Sequence, residues 1–136
     1  MRKLVVIQGH PMQKSLCGAF LESYIKGAKE NKNVEIHHLN LIDLTFNPNL
    51  LYGYKKRTEL EPDLVKAQQL IMEADHTVWI FPIWWGTMPA IMKGFMDRII
   101  LPGFFFEYQE NSPFAIKLMK GKTARVITTS DTPTWY

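Results

Sequence analysis

Cysteine is nearly absent. Cys17 is the only one, so the chain forms no internal disulfide and requires no oxidising compartment. With no paired base in the local sequence, Cys17 reads as a small packing residue rather than a reactive thiol. Long apolar runs are missing too. No stretch approaches the ~20 apolar residues of a membrane span. The most apolar part, residues 78–96, is broken by two Pro, two Gly and Lys93. At the start, only four apolar residues follow Lys3 before Gln8, too few for a secretion signal, so a cytoplasmic location is expected. Neither charge sign dominates. Sixteen Lys and Arg against thirteen Asp and Glu leave +3, which suits solubility and anionic ligands but does not indicate nucleic acid. The Walker A loop and the G-x-G-x-x-G fingerprint are both absent. No internal repeat, low-complexity tract or metal-ligand set is read in the sequence.

What is present fits one globular domain over residues 1–136. The composition is 46% hydrophobic and 21% charged, enough for one core and too short for a separate substrate domain. Residues 4–7 are a continuous β-branched run, as in a strand buried on both faces. Ser15 is a candidate N-cap for a helix whose apolar face is Leu16, Ala19, Phe20, Tyr24 and Ile25. A second strand is expected over 34–39, then a long surface connection over 43–58. Pro62 and Asp63 open a helix with Leu64, Ala67, Gln68, Leu70, Ile71 and Ala74 on its face. A third strand is expected over 77–81, a third helix over 90–100, a long loop over 104–113 and a fourth strand over 124–129. Alternation of this kind makes an α/β fold with a parallel sheet and helices on both faces.

Ligands of open α/β sheets bind beyond the carboxyl ends of the strands, which singles out three loops. The first, residues 8–17, runs into a helix N-terminus, where free N–H groups favour an anion; His10, Lys14 and Ser15 add polar contacts. It reads equally as a plain turn with a capping Ser. The second, residues 82–89, carries adjacent Trp84 and Trp85 before Gly86. It reads as a cradle for a planar heteroaromatic ring. The competing reading packs Trp85 in the core and Trp84 at a subunit interface. The third, residues 128–136, offers small hydroxyls to a ring's polar edge and a Tyr136 able to donate a proton, or is simply a polar loop.

Taken together, these residues resemble the flavin-dependent NAD(P)H:quinone oxidoreductases of flavodoxin-like fold. The likeness extends to bacterial relatives described as general stress proteins, modulators of drug activity and ancillary subunits of potassium efflux systems. It rests on Gly9-His10-Pro11 with Ser15-Leu16, on Asn47-Pro48, and on Phe81-Pro82-Ile83-Trp84-Trp85-Gly86. It continues through Met88 to Phe95, Asp97-Arg98, Pro102-Gly103-Phe104, Gly121-Lys122 and Thr128-Thr129.

The resemblance implies a three-layer flavodoxin-like fold with sheet order 2-1-3-4, the family's fifth strand and last helix lying outside this chain. It implies FMN or FAD as cofactor and NAD(P)H as electron donor. His10, Ser15, Leu16 and Cys17 would hold the flavin phosphate. Pro82, Ile83, Trp84, Trp85, Gly86 and Thr87 would lie along the ring, and Thr128, Thr129, Ser130 and Asp131 would close over its other edge. Tyr136 would be catalytic. Phe106 and Tyr108 would line the quinone pocket of a partner subunit in a homodimer. The family's Thr-Thr-Gly-Gly is Thr-Thr-Ser130-Asp131 here, which restricts that loop's backbone. A His that pairs with the catalytic Tyr in some members would lie past residue 136. The implied activity is two-electron ping-pong hydride transfer from NAD(P)H through flavin to a quinone. The alternatives are a regulatory subunit partnering a membrane potassium transporter, and a flavodoxin-type electron carrier.

Overall fold

The computed structural model describes residues 1–133 and 135, so Tyr136, the expected catalytic residue, lies outside the described residues together with Thr134. The elements are β1 (Arg2–Gln8), α1 (Leu16–Lys29), β2 (Val34–Asn40), a single 3-10 turn (Leu41–Asp43), α2 (Pro62–Glu73), β3 (His76–Pro82), α3 (Ala90–Ile99), β4 (Phe106–Glu107), β5 (Ile116–Lys117) and β6 (Thr123–Thr129). Four strands form one parallel sheet in the order β2-β1-β3-β6. This is the expected 2-1-3-4 arrangement, β6 being the fourth sheet strand.

The two central strands, β1 and β3, form because their apolar residues are buried on both faces, whereas β2 and β6 are mostly half-buried or exposed. Leu4 and Val6, with Val78 and Ile80, pack beneath Cys17 and Leu21 of α1. Val5 and Ile7, with Trp79 and Phe81, pack against Leu64, Ala67 and Ile71 of α2 and Met92, Phe95 and Ile99 of α3. Alternation along one strand thus feeds two separate cores, giving three layers. Full burial of such a side chain is worth about 1.5–3 kcal/mol. The buried Trp79 indole donates from Nε1 to Thr77 Oγ1 at 3.0 Å, so it carries no unpaired donor.

Two sequence expectations need correction. The stretch expected as a long loop over 104–113 leads into a small hairpin, in which Phe106 pairs with Lys117 and Glu107 with Ile116. Strands of two residues leave no alternation to detect in the sequence. The α1 face is also not the expected one. Cys17, Gly18 and Leu21 are buried, with Tyr24, Ile25 and Ala28 half-buried, whereas Leu16 and Phe20 are exposed. The helix carries two apolar stripes, and only one faces the sheet.

Arg98 of α3 is buried, with 1% of its surface exposed. It holds the long connection against the fold. Nη2 donates to Glu61 Oε2 and to the Glu59 carbonyl, both at 2.7 Å, and Nη1 donates to Glu61 Oε1 at 3.1 Å and to the Asn47 carbonyl. Burial opposes ionisation of Glu61, but hydrogen bonds from Arg98 and from the Asn47 N–H hold its carboxyl below the ordinary range. Among the described residues, no helix is long and apolar enough to cross a membrane.

Candidate functional site

α1 begins where β1 ends, after the tight 9–15 loop. Ser15 caps it, its Oγ accepting from the Gly18 N–H at 3.1 Å, and its carbonyl accepts from Ala19 at 3.0 Å. The next glycine is obligatory. A Cβ on Gly18 would sit 2.0 Å from the Gln13 carbonyl oxygen, so the loop curls directly against the helix. No described residue accepts from the Leu16 and Cys17 amides. The first turn contains no acidic residue, whereas that of α2 contains Asp63. A helix N-terminus with two open amides and no acid in its first turn is an anion site in waiting.

The other two loops are tied to this one. Ile83 N–H donates to the Thr129 carbonyl at 2.7 Å, and Cys17 Sγ lies 3.5 Å from Thr129 Oγ1. The result is a cavity of about 440 Å³ lined by His10, Leu16, Cys17, Phe20, Pro82, Ile83, Trp84 and residues 128–131. Its size falls within the range of cofactor pockets. His10 accepts from the Met12 N–H through Nδ1 at 2.9 Å, so a neutral ring carries its proton on Nε2. The same ring meets Trp84 edge-on, centroids 5.4 Å apart.

The structure therefore brings His10, Leu16, Cys17, Pro82, Ile83, Trp84, Thr128, Thr129, Ser130 and Asp131 to one cavity. Ser15 stands behind it as the cap. Trp85, Gly86 and Thr87 do not line it. They form the tip of a tight turn closed by Trp84 N–H to Thr87 O at 2.8 Å and by the reverse bond at 3.1 Å. Both central residues have positive φ, Trp85 at 51° and Gly86 at 75°, as a two-residue primed turn requires. Gly takes such a φ freely; Trp does not. Trp85 is fully exposed, which overturns the reading that packs it in the core.

Phe106 and Tyr108 lie elsewhere. They line a larger cavity, about 700 Å³, with Leu50, Tyr54, Met96 and Leu101. It shares no lining residue with the first cavity. Its lining is more apolar, but the chemistry-bearing loops are not there. Sequence reasoning missed one residue of the first site, Phe20, and one buried polar residue at the end of β1, Gln8. Phe20 was assigned to the core, although its spacing of four from Leu16 marks a shared helical face. Gln8 was treated as the end of an apolar run, yet it is 1% exposed and both polar atoms of its side chain lack a described partner.

Residues 2–136 match the sequence profile of a family described as flavodoxin-like fold. NAD(P)H dehydrogenase (quinone) 1 of Rattus norvegicus is 28% identical over 158 aligned positions, covering 99% of this chain and 56% of that protein. The solved structure of Smu.1420 from Streptococcus mutans UA159 is 34% identical with a TM-score of 0.78, covering 99% of this chain and 71% of that one. An FMN-dependent NADH-azoreductase from Bacillus anthracis, solved in complex with FMN, shares the fold at 23% identity and a TM-score of 0.74, covering 100% of this chain and 74% of that one. Among eight curated relatives that it matches, the chain spans between 36% and 66% of their length.

Proposed function

The chain belongs to the flavodoxin-like fold family, and on that premise we propose that it is a flavin-dependent NAD(P)H:quinone oxidoreductase holding FMN or FAD in the cavity of about 440 Å³. One observation carries the reading. Three strand-end loops meet around a helix N-terminus that has open amides and no acid. The donor set suits such a group. The Leu16 and Cys17 amides and the His10 Nε2–H suit its phosphate, with Ser15 capping the helix behind them. The hydroxyls of Thr128, Thr129 and Ser130 suit the polar edge of its ring. The family name of the rat relative supports a quinone acceptor, and the Bacillus anthracis structure supports FMN.

When bound, the flavin supplies hydride chemistry in two-electron steps. The chain's part is to bind, orient and shield. Ile83 and Trp84 wall off one side of the cavity, so that NAD(P)H and the quinone take turns on the open side. Tyr136, which lies outside the described residues, is the proton donor in this reading. Phe106 and Tyr108, remote from their own chain's cavity, serve the site of a second subunit in a homodimer.

The test is to add FMN to the purified chain, record the visible spectrum, and follow NAD(P)H oxidation with menadione. Bound flavin with turnover supports the reading, and the absence of both overturns it. Sedimentation then reports whether the active species is a dimer.

A further inference from the structure

We infer that Asp131 makes the cavity prefer the oxidised flavin over the reduced one, and so holds the bound flavin as a stronger hydride donor. The inference rests on the flavin reading above. It begins from the charges of the lining. Among the described residues around the cavity, Asp131 is the only carboxylate, and no Lys or Arg lines it. No described ion pair neutralises the exposed Asp131 side chain.

Sheet order separates this charge from the end that favours an anion. In the order β2-β1-β3-β6, the loops after β1 and β6 leave the sheet two strand spacings apart, about 10 Å. His10 and the open Leu16 and Cys17 amides follow β1, whereas Ser130 and Asp131 follow β6. The loop after β6 is anchored. The Thr129 carbonyl accepts from the Ile83 N–H at 2.7 Å. Ser130 Oγ accepts from the Thr132 N–H at 3.1 Å, which closes a local turn around Asp131. The backbone of Asp131 is thus held on the cavity wall.

A carboxylate repels a phosphate, so the phosphate belongs with the amides and the ring with residues 128–131. Hydride from NAD(P)H brings the ring two electrons and one proton and leaves NAD(P)+. A neutral ring thereby gains one negative charge, and no further proton is needed for balance. Asp131 raises the free energy of that charged form and leaves the neutral oxidised ring nearly unaffected. Charge close to the ring is one of the means by which a protein tunes a flavin. The hydride then passes more readily to the quinone, which becomes a hydroquinone with one further proton, and the ring returns to neutral.

The test measures the affinity of wild type and of Asp131→Asn for oxidised FMN and, without oxygen, for FMN reduced with dithionite. Relative to oxidised FMN, Asp131→Asn should bind reduced FMN about tenfold more tightly than wild type does, a rise of ~30 mV in the potential of the bound flavin. Asp131→Glu keeps the charge and should stay near the wild-type ratio. At about 1 M salt, where the screening length falls to ~3 Å, the difference between Asp131→Asn and wild type should shrink. Without flavin, all three proteins should melt together. An unaltered ratio in Asp131→Asn overturns the inference, as does an Asp131→Glu that matches Asp131→Asn, or a difference insensitive to salt. Asp131→Asn melting well below wild type also overturns it, because the carboxylate would then serve the fold. A wild type that binds neither form of FMN overturns the flavin reading itself. A wild type that binds FMN beside an unaltered variant overturns only the role of Asp131.

Discussion

At the amino ends of the strands, polar groups find partners within the chain, whereas at the carboxyl ends several do not. Near the amino ends, Lys3 N–H donates to Asp75 Oδ2 at 2.7 Å and Lys3 Nζ to Glu73 at 2.6 Å. The Asp75 carbonyl accepts from the Thr123 N–H at 3.1 Å, and Lys122 Nζ closes the end of α2 by donating to the Ala74 carbonyl at 2.7 Å. At the other end stand the Gln8 amide, the open amides of Leu16 and Cys17, and a fully exposed Trp85 held at positive φ. One end is arranged for the stability of the chain alone. The other keeps donors, strain and an aromatic surface that folding does not need, the usual signature of a place reserved for a ligand.

Gly18→Ala should break the contrast most strongly. The added Cβ meets backbone at Gln13, which cannot rotate away as a flexible side chain would. The 9–15 loop must shift, and FMN affinity should fall about 100-fold, or about 2.7 kcal/mol. A fluorescence titration with unchanged affinity would show that the loop's curl is dispensable. Asp75→Ala attacks the other end. It strips the Lys3 N–H of a charged acceptor and should lower stability by about 1–2 kcal/mol in a urea melt. FMN affinity of the folded fraction should stay the same.

Trp85→Asn sharpens the comparison by reversing a sign. Asn-Gly is the favoured pair for this turn, and Asn tolerates the left-handed region, so stability should rise by about 1 kcal/mol. Turnover with a quinone should stay the same, because Trp85 does not line the cavity. Thermal melts and menadione kinetics on one preparation read both. A variant that loses stability would mean that the Trp85 ring packs on something in solution.

The same contrast explains what the sequence made plain. Residues 4–7 and 77–81 were readable as strands because continuous β-branched and aromatic runs suit burial on both faces, and alternation of strands and helices made the parallel sheet readable, whereas its 2-1-3-4 order came from the family resemblance. Ser15 was readable because a capping residue acts on amides two and three positions away. Groups whose roles depend on distant chain were not readable. Arg98 on a helix resembles any surface Arg until Asn47, Glu59 and Glu61 arrive from another segment. Phe20 fits the periodicity of a core residue, and only the third dimension turns its stripe toward the cavity. Gln8 interrupts an apolar run, which normally marks a strand end rather than a buried amide.

The smallest expected effect is a pH dependence at the amino ends. His76 Nδ1 and Thr123 Oγ1 are 2.7 Å apart, across the β3–β6 register. Burial, and then the positive charge of Arg125, hold the His76 imidazole below its ordinary value. The unfolded chain therefore takes up the proton first as pH falls. Stability contributed here is complete above the ordinary His range near pH ~6.5 and declines as pH drops through it. It levels off once folded His76 is protonated as well. The melting temperature should thus fall slightly between pH 7.5 and 5.5, and His76→Gln should flatten that part of the profile. If the variant keeps the full slope, another histidine is responsible, and the amino ends are then insensitive to pH in this range.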